Sequence, residues 1–239
     1  MNDKELVARE ALDYVQNNSI VGLGTGSTAN YFIEGLAEKI KREKLNIEVV
    51  ASSTISSINA ANAGLQCVSL DQIESIDLYV DGADEIVFTK DGEIQVLKGR
   101  GYDLIREKLL ARSSKRCLII GDNSKMVSKI GTNFPIPVEV SSIAWKITKT
   151  LISRFAAECH LRINSAGDGV AITSYGNLVL DCKFKDKDIF DLSSWLAQVP
   201  GVLEHGIFLD TVHDVLIADN GNVLLMSDVH SYNRHNDNV

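Results

Sequence analysis

Proline is scarce in this sequence: three among 239 residues, all between positions 135 and 200, and no Pro-rich or other low-complexity tract occurs. No run of 18 apolar residues is present, so a membrane-spanning helix is excluded on length alone. The opening MNDKELVARE carries no apolar stretch, so no secretory signal is expected. The five histidines, His160, His205, His213, His230 and His235, show no H-x-x-x-H or other ligand spacing, and no metal site is expected. Cysteine forms no C-x-x-C pair. Cys67, Cys117, Cys159 and Cys182 sit among apolar neighbours, which fits small buried thiols in a reduced, cytoplasmic setting. Positive charge is in deficit as well, with 24 Lys and Arg against 32 Asp and Glu and a formal net charge of −8. Nucleic acid and anionic membrane are both polyanions that such a surface repels, so neither is expected as a partner. An anionic small molecule would need a local cationic pocket.

What is present is the composition of a folded globular chain, 45% hydrophobic and 23% charged, long enough for one large domain or a main and a smaller one. Short apolar runs at 19–24, 47–52, 65–70, 77–82 and 117–122 read as buried strands bounded by Gly, Asp or Ser. Helical spacing of apolar residues lies between them. Strands alternating with helices predict an α/β fold, a Rossmann-like, mainly parallel sheet. After GTNFPIPVEV the pattern changes to a helix over 142–158, strands near 161–164, 169–173 and 177–184 around a YGN turn, and a helix over 188–198. We therefore expect a main catalytic domain of 1–131 and 207–239, interrupted by a smaller α+β domain of 132–206. The strand-like VLIAD and NVLLM then return the chain to the first sheet, and the polar tail from about 229 is expected to fray.

Three loops at predicted strand-to-helix junctions carry the chemistry. GLGTGSTA (22–29) follows a strand and opens a helix, where backbone amides and the positive helix end attract an anion and Thr25, Ser27 and Thr28 add hydroxyls. It matches neither the dinucleotide nor the nucleoside-triphosphate glycine signature, and a Ser or Thr that merely caps the helix is the plainer alternative. DGADEI (81–86) sets Asp81 and Asp84 at the carboxyl end of a strand, facing the same crevice, where paired acids hold sugar hydroxyls or move protons; an Asp-Gly turn or a divalent cation site is the alternative. KGRGYDLIREK (98–108) places Lys98 in a glycine-flanked loop and Glu107 about a turn and a half into a helix. Helical side chains tilt toward the N-terminus, so Glu107 can point back at the loop as a general base, or join Arg106 and Lys108 on a solvated face. Together, a phosphate cradle, paired acids and a base beside a lysine describe a sugar-phosphate enzyme.

These segments, with ASST (51–54), IGDNSK (120–125), FPIPVEV (134–140) and YGNLVLD (175–181), resemble in order and spacing the A-type ribose-5-phosphate isomerases, from about residue 4 to 225. The resemblance implies interconversion of ribose 5-phosphate and ribulose 5-phosphate in the non-oxidative pentose phosphate pathway, with no metal or organic cofactor and usually as a homodimer. It implies substrate contacts from Thr25, Gly26, Ser27 and Thr28, from Asp81, Gly82, Ala83 and Asp84, and from Lys98, Gly99, Arg100 and Gly101. Lys125 and, less securely aligned, Lys4 are further contacts, and Glu107 is the proton acceptor. Arg100 departs from the family, standing where a glycine is usual; a positive φ there would cost about 1–2 kcal/mol. Ser174 replaces a commoner aspartate, in the smaller domain and apart from the chemistry. Of the two acids, Asp81 is expected to take the anomeric hydroxyl proton on ring opening and Asp84 to hold hydroxyls, with the roles exchangeable. Competing classes are a non-catalytic sugar-phosphate sensor, an amino-sugar-phosphate deaminase and a CoA transferase. They would need a basic DNA-binding extension, a histidine near the acids or a CoA-binding glycine signature, and the sequence shows none.

Overall fold

Asn2 accepts a hydrogen bond from the Glu5 N–H at 2.8 Å and so starts α1 (Asp3–Ala11), which precedes β1 (Ser19–Leu23). The computed structural model describes residues 2–185 and 187–229, and the rest of the expected tail lies outside them. Next come α2 (Ser27–Glu43), β2 (Ile47–Ala51), α3 (Thr54–Asn62) and β3 (Ile76–Asp81). In α2 the buried residues Ala29, Phe32, Ile33, Leu36 and Ala37 recur at helical spacing, and the last four pack with Val21, Leu23, Leu78 and Val80 of the sheet. Each large side chain so buried contributes about 1.5–3 kcal/mol.

A hairpin of β4 (Glu85–Phe88) and β5 (Ile94–Leu97) leads to α4 (Leu104–Ser113) and β6 (Ser114–Asp122). Then follow β7 (Ile136–Val140), α5 (Trp145–Ser153), β8 (Ala156–Leu161), β9 (Leu178–Phe184), α6 (Ile189–Gln198) and β10 (Val202–His205). The chain ends in β11 (Ile207–Phe208), β12 (Asp214–Asp219) and β13 (Asn222–Ser227). The main sheet has the order β13-β12-β6-β3-β1-β2 and is parallel except for the antiparallel edge strand β13, the α/β architecture expected. A four-stranded antiparallel sheet, β10-β7-β9-β8, is built wholly from residues 136–205. The hairpin and β11 form a third sheet that the sequence analysis does not anticipate.

Three expectations are corrected. Residues 65–70 form no strand: Cys67 makes one bridge to Val49, and Ser69 and Gln72 close a capping box on a 3-10 turn at Leu70–Gln72. The helix expected over 142–158 stops at Ser153, and Ala156–Leu161 pairs instead with β9, tertiary pairing overriding local spacing. The strands expected at 161–164 and 169–173 shrink to isolated bridges, Ile163 to Val170 and Ile172 to Leu178. Cys159 and Cys182, 23 positions apart, are register partners across β8 and β9 with sulfurs 3.2 Å apart, both free thiols.

One carboxylate ties the hairpin to the chain entering the four-stranded sheet. Glu85, fully buried, accepts from the backbone N–H groups of Gly131 at 2.6 Å, Thr132 at 3.3 Å, Asn133 and Phe134 at 3.0 Å.

Candidate active site

In the main sheet β1 is flanked by β3 and β2, the point where strand order reverses and where a crevice opens beyond the carboxyl ends. The loop after β1 leads into α2 through Gly26, at φ 115°, and no side chain caps this helix end. The capping alternative is therefore not adopted, and the first-turn amides beside Ser27 and Thr28 are left with no capping side chain. Lys4 adds a cation, its Nζ donating to Ser27 Oγ at 2.9 Å. Thr25, on the cavity wall, also organises the loop. Its hydroxyl lies 2.7–2.9 Å from those of Ser52, Ser53 and Ser56, and its N–H donates to Asp81 Oδ1 at 2.9 Å. It shapes the loop, and its hydroxyl is already engaged.

Along β3 the alternation of side chains puts Leu78 and Val80 under α2, and Tyr79 and Asp81 toward α4. Asp81 is completely buried and its oxygens are all occupied: Oδ1 accepts from Thr25 and Gly82 N–H, and Oδ2 from the Tyr79 hydroxyl and from Lys98 Nζ at 2.7 Å. Tyr79 was not foreseen, since position i−2 on a strand announces no partnership. Burial and the Asp81 charge hold its phenol well above the usual range, so it stays a donor. Gly24 is a glycine for the same reason, because a Cβ there would stand 2.2 Å from Asp81 Oδ1 and 2.5 Å from Asp81 Cα. Gly24→Ala should therefore displace Asp81 and cost activity about tenfold or more in a folded protein, as misplaced groups do. Wild-type kcat in that variant would refute the close approach.

Lys98 extends from the end of β5, 4% exposed, with Nζ also 2.8 Å from the Gly82 carbonyl and 3.6 Å from Glu107 Oε2. Burial lowers its proton affinity, but Asp81 and Glu107 outweigh burial and raise its pKa. Glu107 comes from α4, whose N-terminal turn faces the crevice, and is 2% exposed. Its Oε2 has no hydrogen-bond partner, and burial, opposed by the Lys98 charge, pushes the carboxyl up to about 8. Its neighbour Lys108 turns away to the Glu204 carboxylate and the His205 carbonyl, so this segment is not a solvated face.

Asp84 lies at the cavity wall and accepts from Arg100 N–H at 3.3 Å, and burial raises its pKa against the pull of Lys98. The positive φ angles of the third loop fall on Gly99 (102°) and Tyr102 (76°), not on Arg100. Arg100 therefore carries no backbone strain, and its guanidinium stacks 4.2 Å from the Phe134 ring centroid. A cavity of about 160 Å³ joins Lys4, Thr25–Thr28, Gly82–Asp84, Lys98–Gly101, Glu107 and Lys125, with Ile120 added. Every residue singled out in the sequence is at this one place except Asp81, which lies beneath it, behind Lys98. Among the described residues no group of three or more His, Cys, Asp or Glu could hold a metal ion, and no helix is long and apolar enough to cross a membrane.

Known proteins are similar to most of this chain. The sequence model of the family described as ribose 5-phosphate isomerase A (phosphoriboisomerase A) matches residues 48–222. The ribose-5-phosphate isomerase A of Prochlorococcus marinus subsp. pastoris is 40% identical over 218 residues, 90% of this chain and 93% of its own. That of Thermococcus kodakarensis is 38% identical over 217 residues, again 90% and 93%. Among solved structures, ribose 5-phosphate isomerase A from Methanocaldococcus jannaschii superposes with TM-score 0.89 at 32% identity over 94% of this chain and 98% of that one. A D-ribose-5-phosphate isomerase in complex with phospho-erythronic acid gives 0.88 at 35% identity, over 95% and 100%. With its three loops converging on one buried carboxylate and lysine, and with relatives matching over nine-tenths of its length, the chain belongs to the ribose 5-phosphate isomerase A family.

Proposed function

We propose that this protein interconverts D-ribose 5-phosphate and D-ribulose 5-phosphate through an enediolate, the aldose–ketose step of the non-oxidative pentose phosphate pathway, with Glu107 as the base. The observation that carries the assignment of the base is the unpartnered, buried Glu107 Oε2 beside Lys98 at the cavity wall. Isomerisation moves a proton between two adjacent carbons, and one carboxylate can serve both because in a planar cis-enediolate they lie side by side. Lys98, held cationic by Asp81, meets the charge that develops on the oxygens, an effect worth about 10²–10³ in rate per donor elsewhere. The phosphate rests on the α2 terminus, Ser27, Thr28 and Lys4, far enough from the reacting carbons to serve as an anchor.

Ring opening falls to Asp84 rather than Asp81 in this proposal, the exchange of roles that the sequence left open. Asp84 lines the cavity and burial raises its pKa, whereas Asp81 has every oxygen engaged below it. Asp81 instead fixes the Lys98 ammonium. Phospho-erythronic acid, with which a relative of this shape forms a complex, is the kind of ligand such a cavity would take.

The test is to mix the purified protein with ribose 5-phosphate and EDTA and follow ketose. Ribulose 5-phosphate should accumulate at a rate that the chelator leaves unchanged, and kcat/KM should rise with pH and level off above about 8 as Glu107 loses its proton. No ketose from a folded protein would sink the reading. A homodimer in the cytoplasm completes the proposal: the four cysteines are free thiols, and Ile143 and Ile147 stand 82% and 65% exposed as apolar area that a second copy would cover. A solution mass of a single chain would remove the dimer.

A further inference from the structure

The loop between Lys98 and Glu107 holds an unusual backbone. Gly99 has φ 102°, and Tyr102, a bulky residue, has φ 76°. Such an outlier persists only when its surroundings over-determine it, and its position between the two charged groups of the site asks what holds it. The restraint comes from another sheet. Arg162 follows β8, its own backbone fixed by N–H donation to the Val179 carbonyl at 2.8 Å and acceptance from Ala171 N–H at 2.9 Å. Its Nη1 donates to the Gly99 carbonyl at 2.8 Å, and its guanidinium carbon lies 5.7 Å from the Tyr102 ring centroid. The other two nitrogens are bound by Asp181 of β9, Nε to Oδ2 at 2.9 Å and Nη2 to Oδ1. A bidentate carboxylate fixes both the plane and the direction of the guanidinium, so the third nitrogen can point only at Gly99. The side chain is 11% exposed. Ser174, set apart from the chemistry in the sequence reading, joins the same edge, its N–H donating to Asp103 Oδ1 at 3.3 Å.

We propose that Arg162 is a positioning residue for the isomerisation, holding the 98–103 loop in its catalytic shape from the four-stranded sheet, with Asp181 as its orienting partner. The inference rests on the roles of Lys98 and Glu107 proposed above. It gives this sheet a part in the reaction although no residue of it lines the substrate cavity. Losing the bond to Gly99 lets the loop relax, and Lys98, at its start, and Glu107, in the first turn of the helix that follows it, drift from their 3.6 Å separation. A displacement near 1 Å costs on the order of 10²-fold.

Kinetics of Arg162→Ala, Arg162→Lys, Asp181→Asn and the Arg162→Ala/Asp181→Asn pair, with wild type alongside and melting followed for each, test this. Arg162→Ala should lower kcat roughly ten- to hundredfold and leave KM within about threefold, because the phosphate anchor on α2 is untouched. Lys keeps the charge but cannot bind Asp181 through two nitrogens and reach Gly99 with a third, so Arg162→Lys should not restore kcat. The pair should lose no more than the worse single variant, as members of one unit do. Water reaching Glu107 in a slack loop should also move the rising limb of the pH profile to lower pH. A variant with wild-type kcat and pH profile, or a loss fully accounted for by the unfolded fraction, would overturn the proposal; if Arg162→Ala does not fold, Arg162→Lys and Asp181→Asn decide it. A wild type that makes no ketose fails the underlying activity instead, and the two failures are distinct.

Discussion

Glu107→Gln should yield a folded protein that still binds sugar phosphate and turns it over roughly 10²–10⁴-fold more slowly, the range for losing a positioned acid–base group. Gln keeps the shape and removes only the proton-accepting oxygen. A second effect has the opposite sign. The folded Glu107 carboxyl is raised from 4.5 to about 8 by burial, so the native state holds a proton that the unfolded chain releases. Stability from this group is present in full below about 4.5 and is lost as pH rises toward 8. Gln has nothing to ionise, so the variant should melt higher than wild type at neutral and alkaline pH, by a margin that widens between those values and then stays constant. Calorimetry across that range, with the isomerase assay beside it, reads both. Turnover within about tenfold of wild type would remove Glu107 as the base, and a margin that does not depend on pH would remove the burial argument.

Lys98→Met should be the most destabilising of these changes. The ammonium is 4% exposed and 2.7 Å from an Asp81 that is completely buried, and taking one partner from such a pair costs about 3–5 kcal/mol because a charge is left uncompensated. In a chain of this size that is on the order of 6–20 °C in melting temperature, at about 2–4 °C per kcal/mol. The raised pKa of Lys98 means that its contribution is intact at neutral pH and fades only when pH climbs through the folded value, above the ordinary lysine range, so the loss is read at pH 7. Activity should fall by about 10²–10³ as well. The Lys98→Met/Asp81→Asn pair separates the two effects: neutralising Asp81 should restore much of the stability and none of the turnover. A single variant that melts as wild type does, or a pair no more stable than the single, would show that the buried ion pair is not what holds this floor together.

Much of this site was legible in the chain because its parts are local. GLGTGSTA, DGADEI and KGRGYDLIREK each combine a strand end, glycines and polar groups within a dozen residues, and one parallel sheet brings such junctions to the same edge. The tilt of helical side chains was enough to aim Glu107 inward. What stayed hidden depends on distance. Asp81 and Asp84 look alike in sequence, and only the hydroxyl of Tyr79 and the amides of Thr25 and Gly82 show which is buried. Arg162 is 63 positions from the carbonyl that it holds, and no spacing rule links them. The hairpin strands β4 and β5 are four residues each, too short for alternation to mark them, and Ala156–Leu161 became a strand only because β9 offered it a ladder.

The carboxylate of Glu85 bears on how the substrate arrives. The chain passes into the four-stranded sheet at 131–134, exposed at its first three residues, and four of its amides are fastened to that one side chain. The return passage is fastened too, Gly206 donating to the Pro137 carbonyl at 2.8 Å and accepting from Lys98 N–H at 2.9 Å. Yielding at either crossing would break these hydrogen bonds, so the loops around the cavity are held in one arrangement before the sugar arrives. Capture of ribose 5-phosphate should then be governed by electrostatic encounter of the cyclic sugar with Lys4 and Lys125, with ring opening following on the enzyme.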